Sequence, residues 1–242
     1  MYVNLRLTII TVHHFFKINF GYEKSFHSFV AEIDRMEPQE RILQKAHELF
    51  MLYGIRSVSM DEIANHLGIS KKTIYQYYPD KDALVESVIG IELSCSTKEC
   101  ENISVISENP IHELFLALDN FQETISMMNP SLIYDLEKYH PKAYKKVNDH
   151  KFTFLYEIIK SNLERGVAEG FYREDINIPI LTKFRLATVF LIFNQEIFPH
   201  TKFQVSNVMD EITDNFLFGI ASAKGQKLIT KYKQQRIKKL TV

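Results

Sequence analysis

Tryptophan is absent from this chain of 242 residues; cysteine occurs twice, proline seven times and glycine eight. So little Gly and Pro excludes collagen-like and low-complexity chains and argues against turn-rich β architecture. Two thiols cannot build a disulfide framework, and Cys95 and Cys100 lie too far apart for a redox or zinc C-x-x-C pair. They are expected as reduced thiols on a helix of a cytoplasmic protein. No apolar run approaches the roughly 18 residues that span a bilayer, so no membrane partner is expected. Acidic residues are missing from Asn215 onward, where Lys224, Lys227, Lys231, Lys233, Arg236, Lys238 and Lys239 fall. The rest of the chain then holds 22 basic against 30 acidic residues, a net of −8 beneath an overall −1. A globally basic nucleic-acid binder is excluded, and any DNA contact must come from a locally arranged surface.

What is present is apolar side chain at 45%, 12% of residues being aromatic, enough for one large or two small cores. Residues 1–35 stand apart, with scattered aromatics and His13, His14 and His27. Their run from Leu5 to Phe16 is weakly signal-like, yet the two histidines break it and no small-residue cleavage site follows. The histidines have no Cys or carboxylate at helical ligand spacing, so no metal is expected. Met36-Glu37-Pro38 looks like a fresh start at a helix, and Met36 is expected to be the natural initiator.

From there the pattern is helical. Ile42, Ala46, Leu49, Phe50 and Tyr53 form one stripe on a helix that Pro38 opens and Gly54 ends. Ser59-x-x-Glu62 is a capping box at the start of a second, short helix that Gly68 stops. A third follows Ser70 and breaks at Pro79-Asp80. Longer helices are expected from Asp80 or Asp82, from Pro110, and from Pro141 to Gly166 or Gly170, with a short one from Pro130 to Tyr139 between them. Another runs from Ile180 to Phe198, and a last core helix from Ser206 to about Ala223. No period-2 strand pattern survives. The expected fold is all-α: an N-terminal three-helix helix-turn-helix domain and a larger C-terminal helical domain. The domains are expected over 36–82 and 83–223, their boundary within the helix after Asp80, with an N-terminal extension at 1–35 and a basic tail at 224–242.

Residues 59–78, SMDEIANHLGISKKTIYQYY, hold the chemistry. Two short helices meet at Leu67-Gly68-Ile69-Ser70, where Gly supplies a positive φ. Ile63, Ala64, Leu67, Ile69 and Ile74 pack the pair inward, which is the layout of a helix-turn-helix. Ser70, Lys71, Lys72 and Thr73 open the second helix, where the positive dipole end favours phosphate. Gln76 is suited to adenine and Lys to guanine acceptors, while Tyr75 and Tyr77 offer hydroxyls to phosphates. The same spacing also fits a plain helical hairpin with a solvated lysine pair.

The run DEIANHLGISKKTIYQYYPDKDALVESVI, with Ala46-x-x-Leu49-Phe50-x-x-Tyr53-Gly54 before it, resembles the N-terminal domain of the TetR (tetracycline repressor) family from about Glu40 to Ile89. The resemblance implies a sequence-specific transcriptional regulator that binds double-stranded DNA at a palindromic operator. It implies that Ser59 caps its helix and touches phosphate, and that Ser70, Lys71, Lys72 and Thr73 lie over the groove. Tyr75 and Gln76 would meet phosphate and base edges, Tyr77 the backbone, and Lys81 a phosphate. Tyr78 stands where the family commonly has Phe and is assigned to the core.

In similar proteins the remaining helices dimerise and sense a small-molecule effector, whose binding usually releases DNA. Arg165 to Asp175, RGVAEGFYRED, resembles a recurrent loop there. Phe184, Ala187, Thr188, Leu191, Ile192 and Gln195, with Val208, Ile212, Phe216 and Gly219, form two apolar faces for a homodimer or for internal core. A pocket is expected among the helices between Asp80 and Gly170, with Asp135, Glu137, His140 and His150 as polar groups; the ligand is unknown. No cofactor is implied. An architectural or division-linked DNA binder without an effector is the alternative. An enzyme is not expected, since no H-E-x-x-H, paired-aspartate metal motif or Gly-rich phosphate loop occurs.

Overall fold

A computed structural model describes residues 37–240, with side chains for residues 37–236. The expectations for residues 1–35, for His13, His14 and His27, and for Met36 fall outside the described residues. Helices account for the architecture, and among the described residues the only β pairing is an isolated bridge between Tyr172 and Ala221.

Two compact units divide the chain. The first holds residues 37–99 and Met127–Asn148; the second holds Cys100–Ser126 and residues 149–240. The expected boundary inside the helix after Asp80 lies further along, between Glu99 and Cys100. The expected contiguous domain over 83–223 is also corrected, because Met127–Asn148 belongs to the first unit. Leu132, Leu136 and Ala143 are buried in the same core as Ile42, Phe50 and Ile74. That core draws on segments far apart in sequence, which no local pattern announces.

In the first unit, α1 (Pro38–Tyr53) opens on Pro38 and closes on Gly54 at φ 81°. Its stripe is core: Ile42, Ala46, Leu49 and Phe50 are all buried, while Tyr53 is exposed. Next comes α2 (Met60–Leu67), behind a complete capping box. The Glu62 amide donates to Ser59 Oγ at 3.1 Å, and the Ser59 amide donates to Glu62 Oε2 at 2.6 Å. Those bonds hold the Glu62 carboxyl below its usual range. Gly68 then turns the chain at φ 65°. Ser59→Ala removes the cap acceptor and is expected to cost about 1 kcal/mol in urea unfolding, against a few tenths for Ser59→Gly. Equal costs for the two would show that the cap does not hold this helix.

The recognition segment is α3 (Lys71–Tyr77), followed by α4 (Lys81–Ile106), which Asp80 starts by accepting from the Ala83 amide at 2.7 Å. α4 begins in the first unit and ends in the second. In the first unit it is held by side-chain contacts: Asp82 Oδ1 lies 2.6 Å from His140 Nδ1, Glu86 pairs with Lys146 at 3.2 Å, and Glu92 meets His47. The remaining first-unit helices are α6 (Leu132–Tyr139) and the greater part of α7 (Pro141–His150).

In the second unit, α5 (Pro110–Ser126) follows expectation. The single helix expected after Pro141 runs unbroken through α7, a π-helical stretch over Lys151–Leu155, and α8 (Tyr156–Ala168). The helix expected to reach Phe198 stops early, as α9 (Ile178–Leu191). Asn194 explains the stop. Its Oδ1 accepts from the Glu196 and Ile197 amides at 2.9 and 3.1 Å, offering the backbone a turn in place of the next helical bonds.

After α10 (Val205–Ile220) the stretch expected as a basic tail is helical. It is α11 (Ala223–Leu240), and Ile229 and Tyr232 are buried on its inner side. Arg236 pairs with Asp119 at 2.7 Å and Asp210 at 3.1 Å, and Lys233 with Asp214. Part of the charge that made the sequence asymmetric is thus matched by acids of α5 and α10. Tyr232 accepts from Asn109 Nδ2 at 2.8 Å and donates to Glu108 Oε2 at 3.0 Å.

Candidate nucleic-acid interface

Apolar residues decide which side of α3 faces out. Ile74 and Tyr78 are buried against α1 and α2, and Leu67 and Ile69 pack beside them. Burial raises the Tyr78 hydroxyl above its usual range, while a bond to the Gln39 carbonyl opposes the shift. With Ile74 inward, Lys71, Lys72, Tyr75, Gln76 and Tyr77 are exposed, and Thr73 is half-buried. Tyr75 and Tyr77 are 42% and 39% exposed, so neither is core.

The N-terminus of α3 is built by Ser70. Its Oγ accepts from the Thr73 amide at 3.1 Å and lies 2.8 Å from Thr73 Oγ1. Ser59 does the same work for α2. Both serines are exposed but already serve as caps, so a phosphate contact from either would be shared with the helix.

Two lysines differ from the sequence expectation. Lys71 Nζ donates to Asp61 Oδ2 at 2.6 Å, and that bond raises its ammonium above the usual range. No acid lies between Asn65 and Tyr78 in sequence, but Asp61 reaches Lys71 from the preceding helix. Lys81, expected to hold a phosphate, turns inward: Nζ donates to the Ile55 carbonyl at 2.6 Å and sits 5.9 Å from the Phe50 ring centre. It is half-buried, and desolvation lowers its pKa although Asp135, Glu62 and Asp82 oppose this. The physical reason is the turn after α1, whose carbonyl needs a donor. Among the described residues Lys72 has no hydrogen-bond or ion-pair partner, so its ammonium stands free on this surface.

Two of the polar groups expected in an effector pocket lie in this unit and bind its backbone and helices. Asp135 accepts from the Arg56 amide at 3.0 Å, and His140 Nδ1 meets Asp82 Oδ1. Glu137 is exposed. His150 lies in the second unit, stacked on Phe154; its Nε2 is buried without a hydrogen-bond partner, and burial lowers its pKa.

The two faces expected at a dimer interface are sorted by burial. Ile192, Val208 and Phe216 are core of the second unit itself. Phe184, Ala187 and Gly219 are exposed, as are Ile180 and Phe218, which the sequence pattern did not single out. Gln195 lies past the end of α9 and bonds His200 at 2.6 Å.

Residues 42–88 match the family described as bacterial regulatory proteins, tetR family. The HTH-type transcriptional regulator YvaF of Bacillus subtilis is 26% identical over 188 residues, covering 76% of this chain and 95% of that protein. An HTH-type transcriptional regulator of Staphylococcus aureus is 27% identical over 136 residues, 53% of this chain and 71% of its own. Among solved structures, a TetR-family regulator from Agrobacterium tumefaciens superposes with a TM-score of 0.63 at 19% identity, covering 76% of this chain and 97% of its own. A regulator from Saccharomonospora viridis, solved in complex with choline, has the same TM-score and coverages at 17% identity. The capping box, the left-handed Gly68 and the outward face of α3 fall inside the matched residues, so the chain carries the DNA-binding helix-turn-helix of the tetR family of bacterial regulatory proteins.

Proposed function

We propose that the protein is a cytoplasmic homodimeric repressor that binds a palindromic operator and is released from it by a small-molecule effector. The observation that carries this is the outer face of α3. Lys72, Tyr75 and Gln76 point away from a core sealed by Ile74 and Tyr78, as a helix entering the major groove requires. Lys72 and Tyr77 would hold phosphates, Gln76 a base edge, and Lys71 a base after exchanging Asp61 for it. Ser59, Ser70 and Thr73 would fix the approach of the backbone, and Lys81 would act through the turn it supports. The exposed apolar side chains Ile180, Phe184 and Phe218 support pairing with a second copy. α4 is one continuous helix of 26 residues. An effector that prefers one inclination of this helix would change the separation of two recognition helices, and only by its differential affinity.

Selection of genomic fragments on the purified protein tests the reading. Enrichment of a palindrome with half-sites about one helical turn apart is expected, and recovery of no shared sequence would reject it. On the selected fragment, Lys72→Ala should reduce the salt slope of log K by about 0.9. Lys81→Ala should leave that slope in place and instead lower stability by about 1 kcal/mol, the net worth of its bond to the Ile55 carbonyl. A slope change for Lys81→Ala would return it to the phosphate.

A further inference from the structure

The second unit contains a buried positive charge with no negative partner among the described residues. Arg185 of α9 is 6% exposed. Its Nη2 donates to Thr213 Oγ1 at 3.1 Å and its guanidinium lies 5.2 Å from the Phe216 ring centre. A guanidinium carries five N–H donors, and among the described residues this one makes a single hydrogen bond, to a neutral hydroxyl. No described carboxylate pairs with it. Other acids of the unit are paired elsewhere: Glu113 with Arg165, Asp210 with Arg236 and Asp214 with Lys233. Burial pulls the Arg185 pKa down to about 10, the neighbouring Tyr172 opposing the shift.

Removing a charge from water without a counter-ion is costly, and a helix interior keeps such a group only when something offsets the cost. A second copy of the chain is poorly placed to do so. Arg185 lies on the inward side of α9 with Thr182 and Leu186, roughly opposite the exposed Lys183 and Ala187. The guanidinium is thus open to a small anion held within the unit.

We propose that the second unit binds a small organic acid whose carboxylate pairs with the Arg185 guanidinium and whose apolar body lies against Phe216. This rests on the effector reading above and names the effector's chemical class. Arg–carboxylate pairing is bidentate and charge-assisted, so it fills the open donors and supplies the absent charge together. Thr213 holds one edge of the guanidinium and leaves the others for the ligand.

The test is thermal unfolding of the full chain with benzoate and octanoate, each beside its neutral amide. The acids are expected to raise Tm saturably by about 5 °C, the amides not. Arg185→Met should abolish the shift while folding normally, since it removes a buried unpaired charge. Thr213→Val keeps the charge, frees its orientation and should weaken acid binding several-fold. Equal shifts from acids and amides, no shift from either acid, or an undiminished shift in Arg185→Met would overturn the proposal. Operator binding separates the two readings. Acid binding at Arg185 that leaves DNA affinity unchanged sinks the effector reading and keeps this site. Release of DNA from Arg185→Met by a neutral compound, as from the native protein, does the reverse.

Discussion

Gly166→Ala is expected to destabilise the protein by about 3 kcal/mol, the upper end of what overpacking costs, because the added methyl has nowhere to go. A Cβ at Gly166 would fall inside van der Waals contact with Cδ2, Cε2 and Cγ of Tyr172. The ring cannot step aside, since Tyr172 is 1% exposed. Its hydroxyl donates to Asn162 Oδ1 at 3.0 Å and approaches the Pro110 carbonyl at 3.3 Å. Burial, with the charge of Glu113, pushes that hydroxyl far above its ordinary range, so it remains a donor at any working pH. The backbone is pinned as well: the Phe171 and Tyr172 amides both donate to the Gly166 carbonyl at 2.9 Å. Gly170→Ala is the control. Gly170 has φ 72° and open space around it, so that variant meets backbone strain alone and should cost about 1 kcal/mol. Urea unfolding of the two variants checks the argument, and a Gly166→Ala cost no larger than that of Gly170→Ala would remove the packing account.

Gln76→Ala carries the largest expected effect on DNA. A bidentate amide–base pair is worth about 1–3 kcal/mol of discrimination, so the operator should bind roughly 10- to 100-fold more weakly while scrambled DNA binds as before. The side chain is exposed, and its neighbour Ile74 fixes the helix from behind, so stability should not change. Lys71→Ala should cost less, because the native lysine must first give up Asp61. Fluorescence anisotropy on specific and scrambled duplexes at several salt concentrations separates the cases. Equal weakening on both duplexes would make Gln76 a backbone contact.

The head was legible because its signals are local. A capping box spans four residues, a left-handed glycine announces its turn, and a stripe at helical spacing marks its own buried side. These set α1, α2 and α3 to within a residue or two and placed Ser70 and Gln76 on the outward surface. Where two distant segments meet, the same reasoning had nothing to read. Asp61 approaching Lys71, Lys81 answering the Ile55 carbonyl, and Leu132 and Leu136 completing the core under α1 all depend on how helices cross. Asn194 could have been read locally, as an Asx turn able to end α9, but the apolar residues on either side of it carried the helical pattern past it.

By itself, then, the order of residues determined that this chain is helical and that one short helix, opened by Ser70, turns polar side chains outward. Both follow from contacts within a few positions of each other, where chain connectivity limits the outcomes to few. Tertiary structure alone decided which charges are spent internally. It matched Arg236 and Lys233 to acids of other helices, and it left Arg185 buried with a threonine. Ion pairing and burial depend on distances through space, and those exist only once the helices have packed.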